Sequence, residues 1–315
     1  MSDELMHAVR GHRRGGPERL RYETAPVPVP GAGEVQVAVH AASITAGELG
    51  WDATWTDRLD GSGSPRVPIV PSKEVSGTVS ALGPGVTDLE VGDPVYGLIP
   101  FLLDGAAAEY TVVPAAVLAA KPRSIDHEHA AALPLAGLTA WQGLLGHGGL
   151  EAGRRVLVHG GAGGVGSFAV QLAAALGAHV TATAAARDAD FVRGLGAERF
   201  VDYTAQRFED EVAGMDLVFD TVGGDTQDRS WQVLGSGGVL VSIVAPPAPP
   251  AGAGARGAFF VVEPDREGLE QLTALVEAGR LTPQLDRVVP LEEAPQAYAA
   301  LEREHRRGKI VLRVA

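Results

Sequence analysis

The chain has 315 residues, 45% hydrophobic and 21% charged, a composition typical of globular proteins and a length that suggests two domains. Its net charge of −13 argues against general binding to nucleic acid or anionic membranes, and the absence of cysteine excludes disulfides, thiol catalysis and thiolate-ligated zinc. The N-terminal Met1-Ser-Asp-Glu lacks a basic region followed by an apolar core, and no run approaches the ~18 apolar residues of a membrane span, so a cytoplasmic location is expected.

The first 123 residues read as β-rich. Short apolar runs, Val35-Gln-Val-Ala-Val39, Val75-Ser-Gly-Thr-Val79 and Tyr110-Thr-Val-Val113, alternate with Gly/Pro turns, as in a barrel-like lobe. Leu82 to Val95 has the turn chemistry of a compact β corner. From Ile125 helix-forming Ala and Leu take over, and strands at Val156, Val180, Leu217 and Val239 alternate with helices, which predicts a doubly wound sheet. Ala245 to Gly254 is a low-complexity surface loop. An apolar strand, Phe259-Phe-Val-Val-Glu263, precedes a helix from Glu267 to Ala278 and a terminal strand from Lys309 to Val314.

The central run Arg155-Val-Leu-Val-His-Gly-Gly-Ala-Gly-Gly-Val-Gly-Ser-Phe-Ala-Val-Gln-Leu-Ala173 places a glycine turn between a buried strand and a helix. Gly161, Gly163 and Gly166 fit G-x-G-x-x-G, which permits a tight turn, close approach of backbone N–H groups to a pyrophosphate, and close helix–strand packing. The helix N-terminus at Gly164 and Val165 adds partial positive charge. Gly177 supplies the C-cap, and His179 to Thr183 forms the next strand of one βαβ unit. An NAD site usually carries Asp or Glu at the end of that strand. Here Thr181-Ala-Thr-Ala-Ala-Ala-Arg187 has no carboxylate, and Arg187 suits a 2′-phosphate, so NADPH is the expected cofactor. Thr183 and Tyr203 are candidates for the adenosine end, and the alternative for Arg187 is a solvated helix-start residue.

The chain resembles the zinc-independent, NADPH-dependent quinone oxidoreductases, the zeta-crystallin-like group of the medium-chain dehydrogenase/reductase superfamily. Supporting segments include Pro71-Ser-Lys-Glu-Val-Ser-Gly77, Gly92-Asp-Pro-Val-Tyr96, Leu133-Pro-Leu-Ala-Gly-Leu-Thr-Ala-Trp141, Asp220-Thr-Val-Gly-Gly224 and Arg307-Gly-Lys-Ile-Val311. The resemblance implies an α/β protein with a GroES-like β-rich catalytic domain (residues 1–123 and 264–315) and a Rossmann-type NADPH-binding domain (124–263), with nicotinamide and substrate between them. It also implies that Thr139 lies near the cofactor phosphates or ribose, that Ser242, Ile243, Val244, Phe259, Phe260 and Val261 line the nicotinamide, and that Lys309 lies near the cofactor.

Relatives that hold catalytic zinc do so with Cys, His and Cys; the matching positions here are Thr45, Lys73 and approximately Leu135, so no zinc is expected. Metal-free hydride transfer to a quinone or enone leaves negative charge on a carbonyl oxygen, and a donor near it lowers the barrier. Lys73 is the expected oxyanion donor or proton source, its replacement being expected to lower kcat, and Thr45 the expected companion near ribose or substrate. The alternative for Lys73 is a pair with Glu74 or another carboxylate, or exposure to solvent. Trp51, Trp55 and Tyr110 are candidate aromatic walls, although aromatic residues are more often core. His127 and His129 have metal-like spacing but no third ligand. Competing functions are an enoyl reductase of a polyketide-type pathway and a non-catalytic NADPH-binding sensor or structural protein. The expected partner is a small-molecule acceptor, and a homodimer is expected through the Phe259 to Val262 strand.

Overall fold

The computed structural model describes residues 4–252 and 254–315 and divides into two compact units. The first comprises the chain up to Leu135 with Glu263–Glu277 and Pro283–Ala315; the second comprises Ala136–Val262 and Ala278–Thr282. Residues 124–135, expected in the nucleotide-binding part, belong instead to the first unit. The helix His127–Ala131 packs on strands of the first sheet, and Ala131 and Ala132 share a cluster with Ala41 and Val311. Ala253 of the expected 245–254 loop lies outside the described residues.

In the first unit β1 (Leu5–Gly11) and β2 (Leu20–Pro26) form an antiparallel ribbon. They are followed by β3 (Glu34–Ile44), β4 (Glu74–Leu82), β5 (Pro94–Leu98), β6 (Tyr110–Pro114) and β7 (Leu118–Ala120). Alternation in β3 buries Val35, Val37 and Val39 and leaves their neighbours half-buried, the two-residue period of a strand with one face on a core.

The second unit contains β8 (Arg155–His159), β9 (His179–Ala184), β10 (Arg199–Asp202), β11 (Met215–Asp220), β12 (Leu234–Ser242) and β13 (Arg256–Phe259). All pairings are parallel, in the order β10-β9-β8-β11-β12-β13. The order reverses at β8 and β11, and ligands of doubly wound sheets bind outside the carboxyl ends of strands at such a switch point. Val156, Leu157 and Val158 are fully buried, as a strand covered on both faces requires. The expected strand over 259–263 is corrected: β13 ends at Phe259, because its partner β12 ends at Ser242, in register with Phe259.

Back in the first unit, β14 (Leu285–Pro290) and β15 (Lys309–Arg313) complete a seven-stranded sheet in the order β14-β15-β3-β4-β5-β7, with β6 paired to β3. Among the described residues no helix is long and apolar enough to cross a membrane.

Candidate active site

In the second unit, the glycine turn leaves the carboxyl end of β8 and enters the helix Gly164–Ala175. Each glycine there does something different. Gly160, just before the motif, carries the positive φ of 72° that turns the chain. A Cβ on Gly161 would stand 2.9 Å from the Ala182 Cβ, and one on Gly166 only 2.0 Å from the Gly160 carbonyl oxygen. These two secure close packing. A Cβ on Gly163, the half-buried N-cap residue, would meet one atom, the Gly160 oxygen, in a tight contact of 3.3 Å, so this position is crowded from one direction. A glycine turn leading into the amino end of a helix fits a pyrophosphate.

The remaining cofactor candidates of this unit, apart from Thr139, gather at the carboxyl ends of the parallel strands. Arg187 is exposed in the short turn after β9, and Tyr203 is exposed after β10, its N–H donating to the Ala184 carbonyl (3.3 Å). Ile243 is half-buried, whereas Val244, Phe259 and Val261 are exposed. Phe260 is buried and stacks on His147 with ring centroids 4.4 Å apart, which turns it inward. Thr139 is buried in the helix Pro134–Trp141.

Two of these candidates are committed to an internal row of polar residues. Thr183, His159, Asp220, Ser242 and Phe259 stand in register across the sheet. Ser230 donates its hydroxyl to the Thr226 carbonyl (2.6 Å), so its oxygen accepts from His159 Nε2–H (3.0 Å). Nδ1 of His159 then accepts from the Thr183 hydroxyl (3.1 Å), whose oxygen accepts from Gly160 N–H (3.3 Å). Burial holds His159 neutral, with its pKa down to about 4. The Thr183 proton is thereby used inside the protein, and a 2′-phosphate must look elsewhere for donors. Ser242 likewise donates to Asp220 (2.9 Å), a buried carboxylate that also accepts from the N–H groups of Val222 and Gly223.

In the first unit, three adjacent strands bring together residues from distant parts of the chain. Thr45 follows the end of β3, Glu74 opens β4 and Lys309 opens β15; Ser43 is in register with Glu74, and Ile44 with Ile310. The Lys309 ammonium lies 2.5 Å from Glu74 Oε2 and donates to Thr45 Oγ1 (2.9 Å). The Thr45 hydroxyl donates to Glu74 Oε2 (3.3 Å), and Glu74 Oε1 accepts from Leu135 N–H (3.0 Å). Glu74 and Lys309 are both buried. Burial pushes the Glu74 carboxyl above its usual range, opposed by the Lys309 charge. Glu74 was not among the sequence candidates; its position at the head of an apolar strand, directly after Lys73, was the available signal.

Lys73 is elsewhere. Ser72, with φ 72°, is the one non-glycine residue of positive φ among the described residues, and its N–H is held by Glu48 Oε1. Lys73 is 2% exposed, and its ammonium donates to the Leu103 carbonyl. Burial lowers its pKa to about 8, against the opposing charge of Glu48. Glu48 is itself buried and accepts from Thr45 N–H (3.3 Å) and the Tyr298 hydroxyl (3.1 Å). Trp55 is core, with Nε1 on the Leu49 carbonyl (2.7 Å), and Tyr110 packs against the same core. Trp51 is half-buried, edge-on to Phe101 at 5.5 Å. His127 stacks on His40 (4.2 Å), and His129 bonds Asp126.

Two family models match parts of the chain. Residues 31–123 match the family model described as alcohol dehydrogenase GroES-like domain, and residues 195–312 match the model described as zinc-binding dehydrogenase. The chain is 35% identical to a probable zinc-binding oxidoreductase, mitochondrial, of Arthroderma benhamiae, over 94% of this chain and 93% of that one. It is 37% identical to an NADPH-dependent alkenal/one oxidoreductase, chloroplastic, of Arabidopsis thaliana, over 78% of this chain and 64% of that one. Among solved structures, the quinone oxidoreductase from Coxiella burnetii superposes with a TM-score of 0.88 at 30% identity, over 99% of this chain and 100% of that one.

The residues at hand do not fit the zinc that the second model's description implies. Thr45 already accepts from an ammonium, Lys73 is itself a cation bonded to a carbonyl, and Leu135 is apolar. Among the described residues no group of three His, Cys, Asp or Glu is arranged to hold a metal.

Proposed function

The chain belongs to the medium-chain dehydrogenase/reductase superfamily, and from that premise we propose that it is an NADPH-dependent oxidoreductase that reduces a quinone or the C=C bond of an activated alkene. The observation that carries the reading is the glycine turn from β8 into the helix N-cap at Gly163, at the switch point of the parallel sheet. NADPH, when bound, supplies the hydride. Gly161, Gly163, Gly164, Val165 and Gly166 hold its pyrophosphate, and Arg187 meets its 2′-phosphate, with Tyr203 beside the adenosine. The similarity to an alkenal/one oxidoreductase and to a quinone oxidoreductase supports the acceptor class.

The acceptor gains a hydride and one proton, and between the two its oxygen carries negative charge. Lys309 and Thr45 take the role first expected of Lys73. The Lys309 ammonium, oriented by Glu74, contributes positive charge to that oxygen, and Thr45 fixes its direction. We further propose a homodimer formed along β13, an edge strand that among the described residues pairs only with β12 and whose Phe259 is exposed.

The test is oxidation of NADPH, with NADH as control, against a panel of quinones, enones and enoyl thioesters, followed by product identification. Turnover of quinones or enones with NADPH is the expected result. NADPH binding without turnover of any acceptor would assign the chain to a sensing or structural role, and selective turnover of the thioesters would make it an enoyl reductase.

A further inference from the structure

Lys73 grips both ends of one short loop. Its carbonyl accepts from Ile99 N–H (2.7 Å), and its ammonium donates to the carbonyl of Leu103; between these points the turn is closed by Leu103 N–H on the Pro100 carbonyl (3.0 Å). Phe101 projects from this loop, half-buried, and stands at 90° to Trp51. Trp51 is tied in turn to the polar cluster through Glu48, whose carbonyl accepts Trp51 N–H (3.3 Å) and whose carboxylate accepts Thr45 N–H (3.3 Å). A buried ammonium is a costly way to anchor a carbonyl, and a singly defined geometry is what such groups can provide.

We propose that Lys73 is a positioning residue for acceptor choice: it fixes the Phe101 loop so that the Trp51–Phe101 pair forms a rigid aromatic wall for flat, conjugated acceptors. This rests on the proposed reduction of quinones and enones. An aromatic wall recognises an extended ring system by stacking and edge contacts and contributes little to a short aliphatic enone. Lys73 thus acts on substrate affinity and not on the chemical step.

The test compares a bicyclic naphthoquinone with a four-carbon enone as acceptors for wild type, Lys73→Met, Lys73→Arg, Phe101→Ala and the Lys73→Met/Phe101→Ala double variant. Lys73→Met and Phe101→Ala are each expected to raise KM for the naphthoquinone about tenfold, leaving kcat and the enone KM within about twofold. The double variant is expected to match the single ones, because both act on one element, and Lys73→Arg to restore the wild-type KM. A fall in kcat for both acceptors at unchanged KM would return Lys73 to direct catalysis, and multiplying effects in the double variant would separate it from Phe101. A readout that needs no turnover is acrylamide quenching of Trp51, taken as the difference from a Trp51→Phe background. Lys73→Met should raise it, and unchanged quenching overturns the proposal. Should Lys73→Met not fold, Phe101→Ala and Trp51→Leu carry the same KM comparison, with an unchanged ratio of the two acceptors overturning it. Wild type that reduces neither acceptor refutes the functional reading, whereas wild-type turnover with unaltered variants refutes only this inference.

Discussion

Lys309 and Glu74, from distant segments of the chain, meet at 2.5 Å with both side chains buried. Removing the lysine leaves a buried carboxylate with only the Thr45 hydroxyl and the Leu135 N–H as donors and no opposite charge, at a cost of ~3–5 kcal/mol. Lys309→Met should lower stability by about that amount in urea denaturation, and Lys309→Met/Glu74→Gln should recover most of it. The refolded double variant should still lose on the order of 100-fold in kcat, since the donor is gone. Full turnover in that variant would remove Lys309 from the chemistry.

Gly163 and Gly166 are predicted to fail differently when changed to alanine. At Gly166 the new Cβ falls 2.0 Å from a backbone oxygen, so Gly166→Ala should lower the melting temperature markedly. At Gly163 it meets a single oxygen at 3.3 Å, a tight contact that a shift of a few tenths of an ångström relieves, so Gly163→Ala should fold with a smaller loss of melting temperature than Gly166→Ala while NADPH affinity falls at least about tenfold. Tight NADPH binding by folded Gly163→Ala would show that the phosphates do not rest there.

Arg187 decides the cofactor preference in this reading, because Thr183 spends its proton on His159. A lost charge-assisted hydrogen bond is worth ~1.5–3 kcal/mol, so Arg187→Ala should weaken NADPH binding roughly 10- to 100-fold and leave NADH binding nearly unchanged. Fluorescence titration of both cofactors measures this. Equal losses for the two would separate Arg187 from the 2′-phosphate.

The His159 network gives stability a pH dependence of defined sign. Its imidazole titrates near 4 when folded, against about 6.5 when unfolded, so below about 6.5 the unfolded chain binds the proton first. The stability contributed by neutral His159 is complete above that value and is lost as pH falls toward about 4, by on the order of 3 kcal/mol. Urea midpoints across this window should fall further for wild type than for His159→Gln. Parallel declines would locate the sensitivity in other groups.

The two-unit α/β class and the glycine turn were legible because both depend on local pattern: strand period, and glycine where a side chain would collide. Within the run of glycines, however, the residue that turns the chain is Gly160, one place before the motif, and only backbone geometry distinguishes it from its neighbours. Thr45 and Lys309 could each be named, but their meeting with Glu74 depends on β15 pairing with β3, a long-range register that no local pattern encodes. The same limitation holds for the partner of Lys73. The position of this lysine in the chain matched a metal-ligand site, while the left-handed Ser72 before it and the Leu103 carbonyl determine where its side chain ends. The Phe259 to Val262 run shows the converse: apolar character continues where the partner strand has already ended.

Strand β15 inserts between β14 and β3. A ribosome therefore releases β3 through β7 long before the strand that completes their sheet, whereas the parallel sheet lies almost wholly in one continuous segment, Ala136–Val262. The nucleotide-binding unit is expected to mature first during synthesis, with the β-rich unit waiting as an open-edged intermediate for the tail. Protease protection on stalled chains should appear in the central segment before the N-terminal one, and the reverse order would rule this sequence of events out.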